Sequence, residues 1–367
     1  MSALLFRRML VLLAAALAAA SPCVAGESGG AGQGAPSESA SPSASDYLGR
    51  AEVVSFLKDV SKKQGIPLDW LCAEIAVARY SPAAERYSTP RPNANPKTSF
   101  EKNFRLYESR LISEERIAKG VRFIEDNASV FDRVERSTGV PRYIIAAVIG
   151  IETVYGKNKG RYRVLDSLMT LSFDYTRRAD FYRRELASFL DFCWKEKISP
   201  VTVLGSYAGA MGYGQFMPSS LDRYGTDGDG DHRIDIIDNE ADAIASVAAF
   251  LKAHGWTPGV APLYPAEASR SIFEATGSGG IEAHTDVRTL LAAGVKPLGT
   301  FGLADTEPVL LVDLPRISAD GERSTDFYIG TRNFAAILRY NRTYFYAAAV
   351  TFLADKIRDR EAALASR

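Results

Sequence analysis

One carboxylate in the sequence occupies a position where a charged group is unfavourable. Glu152 ends the apolar run of "AAVIGIETVYG" and is followed at once by a turn that contains Gly156. A buried carboxylate is destabilising unless it is paired or protonated, and burial raises its pKa towards neutrality. Glu152 is therefore either a candidate general acid or a structural group whose charge is satisfied by a partner.

Glycine and polar aromatic residues are interleaved in "GSYAGAMGYGQFMPSS", residues 205 to 220. So many glycines disfavour a helix, and they let the backbone approach a ligand closely. Ser206, Tyr207, Tyr213 and Gln215 supply hydroxyl and amide groups. This mixture suits a sugar polymer, which has hydroxyl edges and apolar ring faces; the alternative is a flexible turn.

Alternating aspartates in "DGDGDHRIDIID" have the spacing of an EF-hand-like loop. Asp227, Asp229, Asp231 and Asp235 fall at positions 1, 3, 5 and 9, with the carbonyl of Arg233 at position 7. Aspartates this close together repel one another unless a cation lies among them. We therefore expect the loop to bind a structural Ca²⁺, with an acidic surface turn as the alternative.

Two features of this loop depart from the EF-hand pattern. His232 stands where a glycine usually makes the sharp turn. The closing position holds Asp238, which is shorter than the usual glutamate, and Asp242 could close the site instead. The last ligand is left open between these two residues.

The elements that must position these groups are mostly helical. "YLGRAEVVSFLKDVSKKQG" has helical periodicity and stops at Gly65, a loop is expected from Ser81 to Pro96, and a further helical region runs from an N-cap at Ser113 to Gly139. Pro141 is expected in the first turn of "PRYIIAAVIGIETVYG". That helix is apolar almost all round and should be central and buried.

The remaining patterns complete the predicted organisation. Short apolar runs such as "EPVLLVDL" indicate strands, and Tyr340, Asn341, Tyr344 and Tyr346 precede a last helical run. Tyrosines at such spacing belong more often to a core than to a ligand site. The predicted division is a signal peptide (1–25), a Gly/Ser/Pro-rich tether (26–46), a helical domain (47–140), a catalytic core with the Asp loop (141–257), a small β-containing region (258–325) and a C-terminal helical segment (326–358).

The first residues, "MSALLFRRMLVLLAAALAAASPCVAG", have a basic start, an apolar stretch and a small-residue cleavage site, as in a secretory signal. Pro22 fits a lipidation site at Cys23 poorly, so cleavage after Ala25 and a soluble periplasmic protein are favoured over a lipid anchor. Cys72 and Cys193 are either a disulfide or buried thiols. Lys plus Arg and Asp plus Glu number 44 each, so no nucleic-acid partner is indicated.

Five ordered blocks together resemble the membrane-bound lytic murein transglycosylase B family: "GVPRYIIAAVIGIETVYGKNKG", "RVLDSLMTLSFDYTRRADFYRREL", "GSYAGAMGYGQFMPSS", "DGDGD…DAIASVAAFLKAHGW" and "LRYNRTYFYAAAV". The resemblance covers roughly residues 50 to 357. It implies a mainly α (α+β) fold with a goose-lysozyme-like catalytic core, a helical domain and a small β-containing insertion.

The resemblance also implies roles for individual residues. Glu152 matches the single catalytic acid/base and Ser206 the serine that hydrogen-bonds it. Gln215 and Phe216 match sugar-binding positions, and Tyr340 and Asn341 match the C-terminal "YN". Residues 227 to 242 match the calcium loop, and no organic cofactor is implied.

The implied reaction cleaves the bond between N-acetylmuramic acid and N-acetylglucosamine in peptidoglycan glycan strands. Glu152 gives a proton to the linking oxygen and then takes one from the muramoyl C6 hydroxyl, which leaves a 1,6-anhydromuramoyl end. One alternative is a muramidase that uses water and a second carboxylate, for which Asp166, Asp174 and Asp180 are candidates. The other is a non-catalytic peptidoglycan-binding scaffold. Proteins of cell-wall synthesis or division stay open as further partners, which the sequence alone does not identify.

Overall fold

The computed structural model describes three stretches of the chain, residues 46–90, 102–276 and 279–366. The predicted signal peptide, Cys23 and all but the last residue of the predicted tether lie outside them. The described residues form two compact units. Residues up to Pro90 and Arg161–Ala210 belong to unit 1, and Arg91–Gly160 and Met211–Arg367 belong to unit 2.

Unit 1 is helical apart from one short pair of strands. Its elements are α1 (Ala51–Gln64), α2 (Leu68–Ala76), α3 (Pro82–Ser88), β1 (Tyr162–Arg163), α8 (Val164–Phe173), α9 (Ala179–Glu196) and β2 (Leu204–Gly205). Helix α1 ends at Gly65, whose left-handed backbone (φ 72°) closes the helix as predicted. Strands β1 and β2 pair antiparallel, and α8 packs on α9.

The loop predicted from Ser81 to Pro96 is wrong in its first half, because residues 82–88 form helix α3. Ser81 caps this helix by accepting a hydrogen bond from the amide of Ala84, and Pro82 occupies its first position. Proline is well suited there, since its fixed φ is helical and its missing N–H would have no partner in the first turn. The proline that indicated a loop therefore begins a helix.

Unit 2 contains the remaining helices and a five-stranded sheet. Its elements are α4 (Phe104–Leu111), α5 (Glu114–Asp126), α6 (Ala128–Thr138), α7 (Arg142–Thr153), α10 (Pro218–Tyr224), α11 (Glu240–Ala253), β3 (Leu263–Glu267), α12 (Arg270–Ala275), β4 (Thr285–Asp286), α13 (Val287–Ala292), β5 (Lys296–Pro297), β6 (Pro308–Ile317), β7 (Arg323–Gly330), α14 (Arg332–Tyr340) and α15 (Tyr344–Ala365).

Helix α7 lies at the centre of unit 2, as its sequence predicts. Residues 144–151 are all buried, and α5, α11 and α15 pack around the helix. Pro141 stands at the N-cap, one position before the expected first turn. An apolar helix surrounded in this way is held by burial of its side chains on every face. Its carboxyl end is therefore fixed in place by the core.

The helical region predicted from Ser113 to Gly139 is present as two helices. Ser113 caps α5 by accepting a hydrogen bond from the amide of Arg116, and Gly139 ends α6 in a left-handed conformation (φ 71°). The break falls at Asn127, whose side-chain amide donates to the carbonyl of Phe123 and to Glu240. An asparagine that bonds nearby backbone competes with the helix and ends it here.

The sheet has the strand order β4-β6-β7-β3-β5, and all its pairs are antiparallel. The segment that indicated a strand, "EPVLLVDL", lies in β6, which forms a hairpin with β7. The sheet has a hydrophobic cluster of its own that includes Phe273, Leu290, Leu311 and Ile329. The strands thus form a separate layer with its own core, and the prediction of a mainly α fold with a small β part is confirmed.

Cys72 and Cys193 are both free thiols, which decides between the two possibilities that the sequence left open. Cys193 is fully buried in α9, and Cys72 is half-buried in α2. Of the helices within the described stretches, none has the length together with the apolar composition that crossing a membrane requires.

Candidate functional site

Glu152 lies in the last turn of α7, where the helix ends abruptly. Val154 (φ 53°), Tyr155 (φ 56°) and Gly156 (φ 82°) are three successive left-handed residues. A β-branched residue rarely adopts this conformation, and strain of this kind is found where surrounding structure imposes it. The chain therefore leaves α7 in a tight turn directly after the carboxylate.

The Tyr155 side chain holds this turn in place. Its ring packs into space left by two glycines, since a Cβ at Gly120 or at Gly150 would lie 2.5 Å from the Tyr155 hydroxyl. The amide of Gly156 also donates to the hydroxyl of Thr153 at 2.9 Å. Close packing of a rigid ring against two helices fixes the end of α7, and with it the position of Glu152.

The carboxyl of Glu152 accepts a hydrogen bond from the hydroxyl of Tyr346, which donates to Oε1 at 2.6 Å. Burial raises the pKa of Glu152 to about 7, although the Tyr346 hydrogen bond lowers it in part. Desolvation disfavours the charged form, whereas a hydrogen bond to the carboxylate favours it. At neutral pH the group is therefore divided between acid and carboxylate, as proton transfer in both directions requires.

Three tyrosines surround this carboxyl. Tyr346 is buried in the first turn of α15, and its ring stacks on Tyr340 with centroids 6.4 Å apart and planes 9° apart. Burial and the charge of Glu152 raise the pKa of Tyr107 to about 12 and that of Tyr340 well above its usual value. These hydroxyls stay protonated and can donate hydrogen bonds at any physiological pH.

The glycine-rich segment of unit 2 packs against the same tyrosines. Tyr340 donates a hydrogen bond to the carbonyl of Gly214, and a Cβ on Gly214 would lie 2.8 Å from the Tyr340 hydroxyl. Phe216 is 3% exposed, and its ring lies edge-to-face against Tyr340 and Phe250. Phe216 thus packs against the ring of Tyr340. Asn341 lies half-buried at the C-cap of α14.

Gln215 and Tyr213 join this segment to its neighbours. Gln215 has a left-handed backbone (φ 50°), and its Nε2 donates to the carbonyls of Lys159 at 3.0 Å and Gly212 at 2.9 Å. The Tyr213 hydroxyl donates to Glu240 at 3.1 Å, and the Lys159 ammonium lies 4.9 Å from the centre of the Tyr213 ring. Glu152, Tyr213, Gln215, Phe216, Tyr340 and Asn341 all belong to unit 2.

Ser206 and Tyr207 belong to unit 1, where they form a turn after β2. The Ser206 hydroxyl accepts hydrogen bonds from the amides of Ala208 at 3.3 Å and Ala210 at 3.0 Å. Gly205 is required here, since a Cβ would lie 2.3 Å from the carbonyl oxygen of Ala210. The Tyr207 ring is 5.3 Å from that of Tyr87, and burial raises the pKa of its hydroxyl.

The three aspartates considered as a second carboxylate also lie in unit 1, and each has a structural partner there. Asp166 accepts from the amide of Arg79 at 2.9 Å, and Asp174 pairs with Arg50 at 2.6 Å. Asp180 is exposed and lies 3.6 Å from Arg183. Each of the three carboxylates therefore has a structural role within unit 1.

The aspartate loop brings three of the predicted metal ligands together. Carboxylate oxygens of Asp227, Asp229 and Asp242 all lie within 4.8 Å of one another. Asp242 is fully buried and accepts from the amides of Gly228 at 2.8 Å and Asp235 at 2.6 Å. Burial raises the pKa of Asp242, as do the charges of Asp229 and Asp227. A set of carboxylate oxygens without nitrogen or sulfur donors fits a hard cation such as Ca²⁺.

The other loop residues have distinct surroundings. Asp231 and Asp235 accept from backbone amides within the loop, those of Arg233 at 2.8 Å and Ile237 at 2.9 Å respectively. Asp238 is exposed and pairs with Lys159 at 2.8 Å. His232 adopts the left-handed conformation (φ 68°) that a glycine provides in other EF-hand-like loops. The substitution of histidine is therefore compatible with the turn.

Tyr107, Tyr155 and Tyr346 belong to the site, but the sequence does not single them out as site residues. Tyr346 was weighed only as one of several tyrosines of the expected core, and it lies in the first turn of α15, not before that helix. Its partner is 194 residues away in the chain, so no local pattern links the two. Tyr155 stands between Glu152 and Gly156 in the sequence, but a tyrosine in such a turn is not by itself diagnostic of a site.

Comparison with known proteins identifies the family of the chain. The family model described as "Transglycosylase SLT domain" matches residues 49–355. Membrane-bound lytic murein transglycosylase B of Escherichia coli (strain K12) is 32% identical over 316 residues, which cover 85% of this chain and 84% of that protein.

Two solved structures have a similar fold. The catenated lytic transglycosylase SltB1 of Pseudomonas aeruginosa has a TM-score of 0.78 and 35% identity, covering 86% of this chain and all of that one. The Escherichia coli lytic transglycosylase Slt35 in complex with calcium has a TM-score of 0.73 and 31% identity, covering 87% of this chain and 96% of that one. The chain therefore belongs to the transglycosylase SLT domain family.

Proposed function

We propose that this protein is a lytic transglycosylase of peptidoglycan in which Glu152 alone acts as acid and then as base. One observation carries the proposal: the carboxyl of Glu152 lies at the end of a buried helix, and desolvation raises its pKa to about 7. Membership of a transglycosylase family supports the reaction class. Among the described residues, no second carboxylate contributes to the pKa of Glu152.

The mechanism begins with protonated Glu152, which donates its proton to the oxygen that links N-acetylmuramic acid to N-acetylglucosamine. As that bond breaks, the C6 hydroxyl of the muramoyl unit attacks its own C1, and ionised Glu152 removes the hydroxyl proton. The product is a 1,6-anhydromuramoyl end, and Glu152 is again protonated. Tyr346 holds the carboxyl by its 2.6 Å hydrogen bond in the carboxylate state.

We assign binding of the glycan strand to polar and aromatic side chains, some in unit 1 and some in unit 2. The proposed contacts are Ser206 and Tyr207 in unit 1 and Tyr213, Gln215, Tyr340 and Asn341 in unit 2. Phe216 contributes through packing against Tyr340, as its burial requires.

A structural Ca²⁺ in the aspartate loop is part of the same proposal. Asp227, Asp229 and Asp242 form its nucleus, with Asp231, Asp235 and the carbonyl of Arg233 as further ligands. Asp242 is preferred over Asp238 for closure because Asp238 is engaged with Lys159. The Slt35 structure with calcium supports a metal in this family.

The site of action is proposed from the sequence. The basic and apolar start of the chain and its small-residue cleavage site favour export to the periplasm, where peptidoglycan is found. Pro22 before Cys23 favours a soluble protein over a lipid-anchored one.

Mass spectrometry of muropeptides tests the reaction and the residue together. Wild type should release fragments from purified peptidoglycan that end in anhydromuramic acid, and Glu152→Gln should reduce release by about 10²–10⁴, the usual contribution of a general acid–base group. Glu125→Gln, an exposed glutamate of unit 2, is the matched control and should behave like wild type.

The other outcomes separate the alternatives. Fragments heavier by one water, with ordinary reducing ends, would identify a muramidase and contradict the single-residue mechanism. Binding without release by wild type would identify a scaffold. Full release by Glu152→Gln would remove Glu152 from the chemistry.

A further inference from the structure

A cavity in unit 1 has no part in the proposed chemistry. Its volume is about 580 Å³, within the range of about 300–1,000 Å³ typical of small-molecule sites. We call it the Trp194 pocket. Its walls come from α2, the end of α9 and the chain just after α9, and the residues that line it are Trp70, Glu74, Cys193, Trp194, Lys195, Lys197, Ile198 and Ser199.

Two of the three tryptophans of the chain meet in this pocket. The rings of Trp70 and Trp194 are 5.2 Å apart at 62°, an edge-to-face arrangement, and Trp194 is 38% exposed. The edge-to-face contact fixes the two rings at an angle and leaves indole surface open to solvent. An indole face is apolar and carries partial negative charge, so it attracts the C–H groups of a sugar ring.

Polar groups stand beside these rings. Ser199 donates a hydrogen bond to Glu74 at 3.3 Å, a long bond that a ligand hydroxyl or amide can replace. Cys193 is fully buried and lines the same pocket as Glu74. A ring face next to hydroxyl and carboxylate partners is the combination that an amino sugar with an acetamido N–H requires.

The pocket also contains a cation that an acidic group of a ligand can meet. Lys197 ends α9 in a left-handed conformation (φ 57°) and is exposed, and within the described residues nothing pairs with its ammonium. Lys195 is also exposed and pairs with Asp191 at 2.5 Å. One ammonium is thus available for a ligand carboxylate.

We propose that the Trp194 pocket is a second carbohydrate site, which binds an N-acetylated amino sugar that carries a carboxylate. The sugar stacks on Trp194, its acetamido and hydroxyl groups meet Glu74 and Ser199, and its carboxylate meets Lys197. The inference rests on the proposed function for the source of this ligand, because muramoyl units of the glycan strand have this chemistry. A site of this kind holds the enzyme on its insoluble substrate.

Saccharide binding to the full-length Glu152→Gln protein tests the proposal. The probes are chitotriose, which is neutral, and the disaccharide N-acetylglucosaminyl-N-acetylmuramic acid, which carries a carboxylate. Both should change the tryptophan emission in a saturable way. Trp256 is buried and donates its Nε1 to Gly139 at 3.1 Å in unit 2, so it should contribute little to the change.

Calorimetry with variants locates the binding. Trp194→Ala should weaken the pocket's binding of both probes by about tenfold, as loss of a central aromatic contact does. Lys197→Gln should weaken only the acidic disaccharide. Trp194→Phe keeps an aromatic face and should retain part of the affinity, which separates loss of stacking from misfolding. Lys63→Gln, an exposed lysine of α1, is the charge control.

The proposal is overturned if Trp194→Ala and Lys197→Gln bind both probes as the parent does, or if saturation leaves the tryptophan emission unchanged. Muropeptide release by wild type is measured in parallel. If the Glu152→Gln protein binds no saccharide in the Trp194 pocket while wild type releases muropeptides, the proposal of a second site has failed. If the pocket binds saccharide but wild type releases no muropeptides, the proposed function has failed.

Discussion

Unit 2 contains two regions built around carboxylates, and their surroundings are opposite. Glu152 lies beside tyrosines and accepts a hydrogen bond from Tyr346, and burial raises its pKa to about 7. Asp227 is half-buried and accepts hydrogen bonds from the amides of Gly230 and His232, and these bonds lower its pKa. Desolvation favours the neutral acid in one region, and backbone donors favour the charged form in the other.

This difference matches the two proposed tasks. A proton donor must hold its proton near neutral pH, whereas a ligand for Ca²⁺ must be ionised. Asp242 combines features of both regions, since it is fully buried and its pKa is raised, yet it lies among the aspartates of the loop. A bound cation would stabilise its charged form and offset the effect of burial.

The largest effect expected from this comparison is a pH-dependent gain in stability in Glu152→Gln. The pKa of Glu152 is about 7 in the folded protein and 4.5 by its ordinary value. Below pH 4.5 the group is protonated in both states and burial has no electrostatic penalty. As the pH rises to 7, Glu152 ionises in the unfolded state first. The free energy of unfolding of the wild type therefore falls by about 3 kcal/mol, whereas that of the glutamine variant does not.

Chemical denaturation at pH 4 and pH 8 measures this difference. The free energy of unfolding of Glu152→Gln minus that of the wild type should be about 3 kcal/mol larger at pH 8 than at pH 4. Glu125→Gln, on the surface of α5, should show no such change. An equal difference at both pH values would mean that Glu152 is not desolvated, and the contrast between the two regions would fail.

Removal of the proposed metal should have the next largest effect. Free Ca²⁺ at a hundredfold excess over its Kd should raise the free energy of unfolding by about 2.7 kcal/mol relative to chelator, because it binds the native state. Asp242→Asn should lose this increment, whereas Asp238→Asn should keep it because Asp238 pairs with Lys159.

Thermal melts of the three proteins with chelator and with Ca²⁺ check this prediction. The increment is compared within each protein, so any stability that Asp242→Asn loses through its backbone hydrogen bonds does not affect the result. A wild-type melt that is the same in both buffers would contradict a Ca²⁺ site. Loss of the increment in Asp238→Asn alone would identify Asp238 as the closing ligand.

The smallest effect concerns Tyr346. Its hydroxyl lowers the pKa of Glu152 against the effect of burial, so Tyr346→Phe should raise that pKa above 7. Because free enzyme must be protonated to act as the acid, the decline of kcat/KM at high pH should move upward, by about one unit for a hydrogen bond worth about 1.4 kcal/mol.

The pH profile of glycan cleavage measures this shift. Tyr344→Phe is the matched control, since its hydroxyl donates to the carbonyl of Gly280 at 2.9 Å and does not contact Glu152. A profile of Tyr346→Phe that moves downward, or not at all, would contradict the assigned role of the hydroxyl.

Features with a local cause could be predicted from the sequence. Gly65 and Gly139 end their helices, Ser113 begins one, and Glu152 stands at the carboxyl end of a buried helix, as the apolar run before it indicated. Each of these depends on a few neighbouring residues and on the periodicity of the apolar positions.

Features that depend on tertiary structure could not be predicted in this way. The bond from Tyr346 to Glu152 joins residues in α15 and α7, and the three left-handed residues after Thr153 are imposed by packing. Helix α3 was missed because proline and serine indicate a loop as readily as a helix start. In each case the local signal was ambiguous and the surrounding fold decided.

The fit of Tyr155 between Gly120 and Gly150 has a consequence for sequence variation in this family. A methyl group at either glycine would overlap the tyrosine hydroxyl, so the three positions are one steric unit spread over two helices. A relative with alanine at either glycine position should carry a smaller residue in place of the tyrosine, and a relative with the tyrosine should keep both glycines. The three positions should therefore change together in evolution.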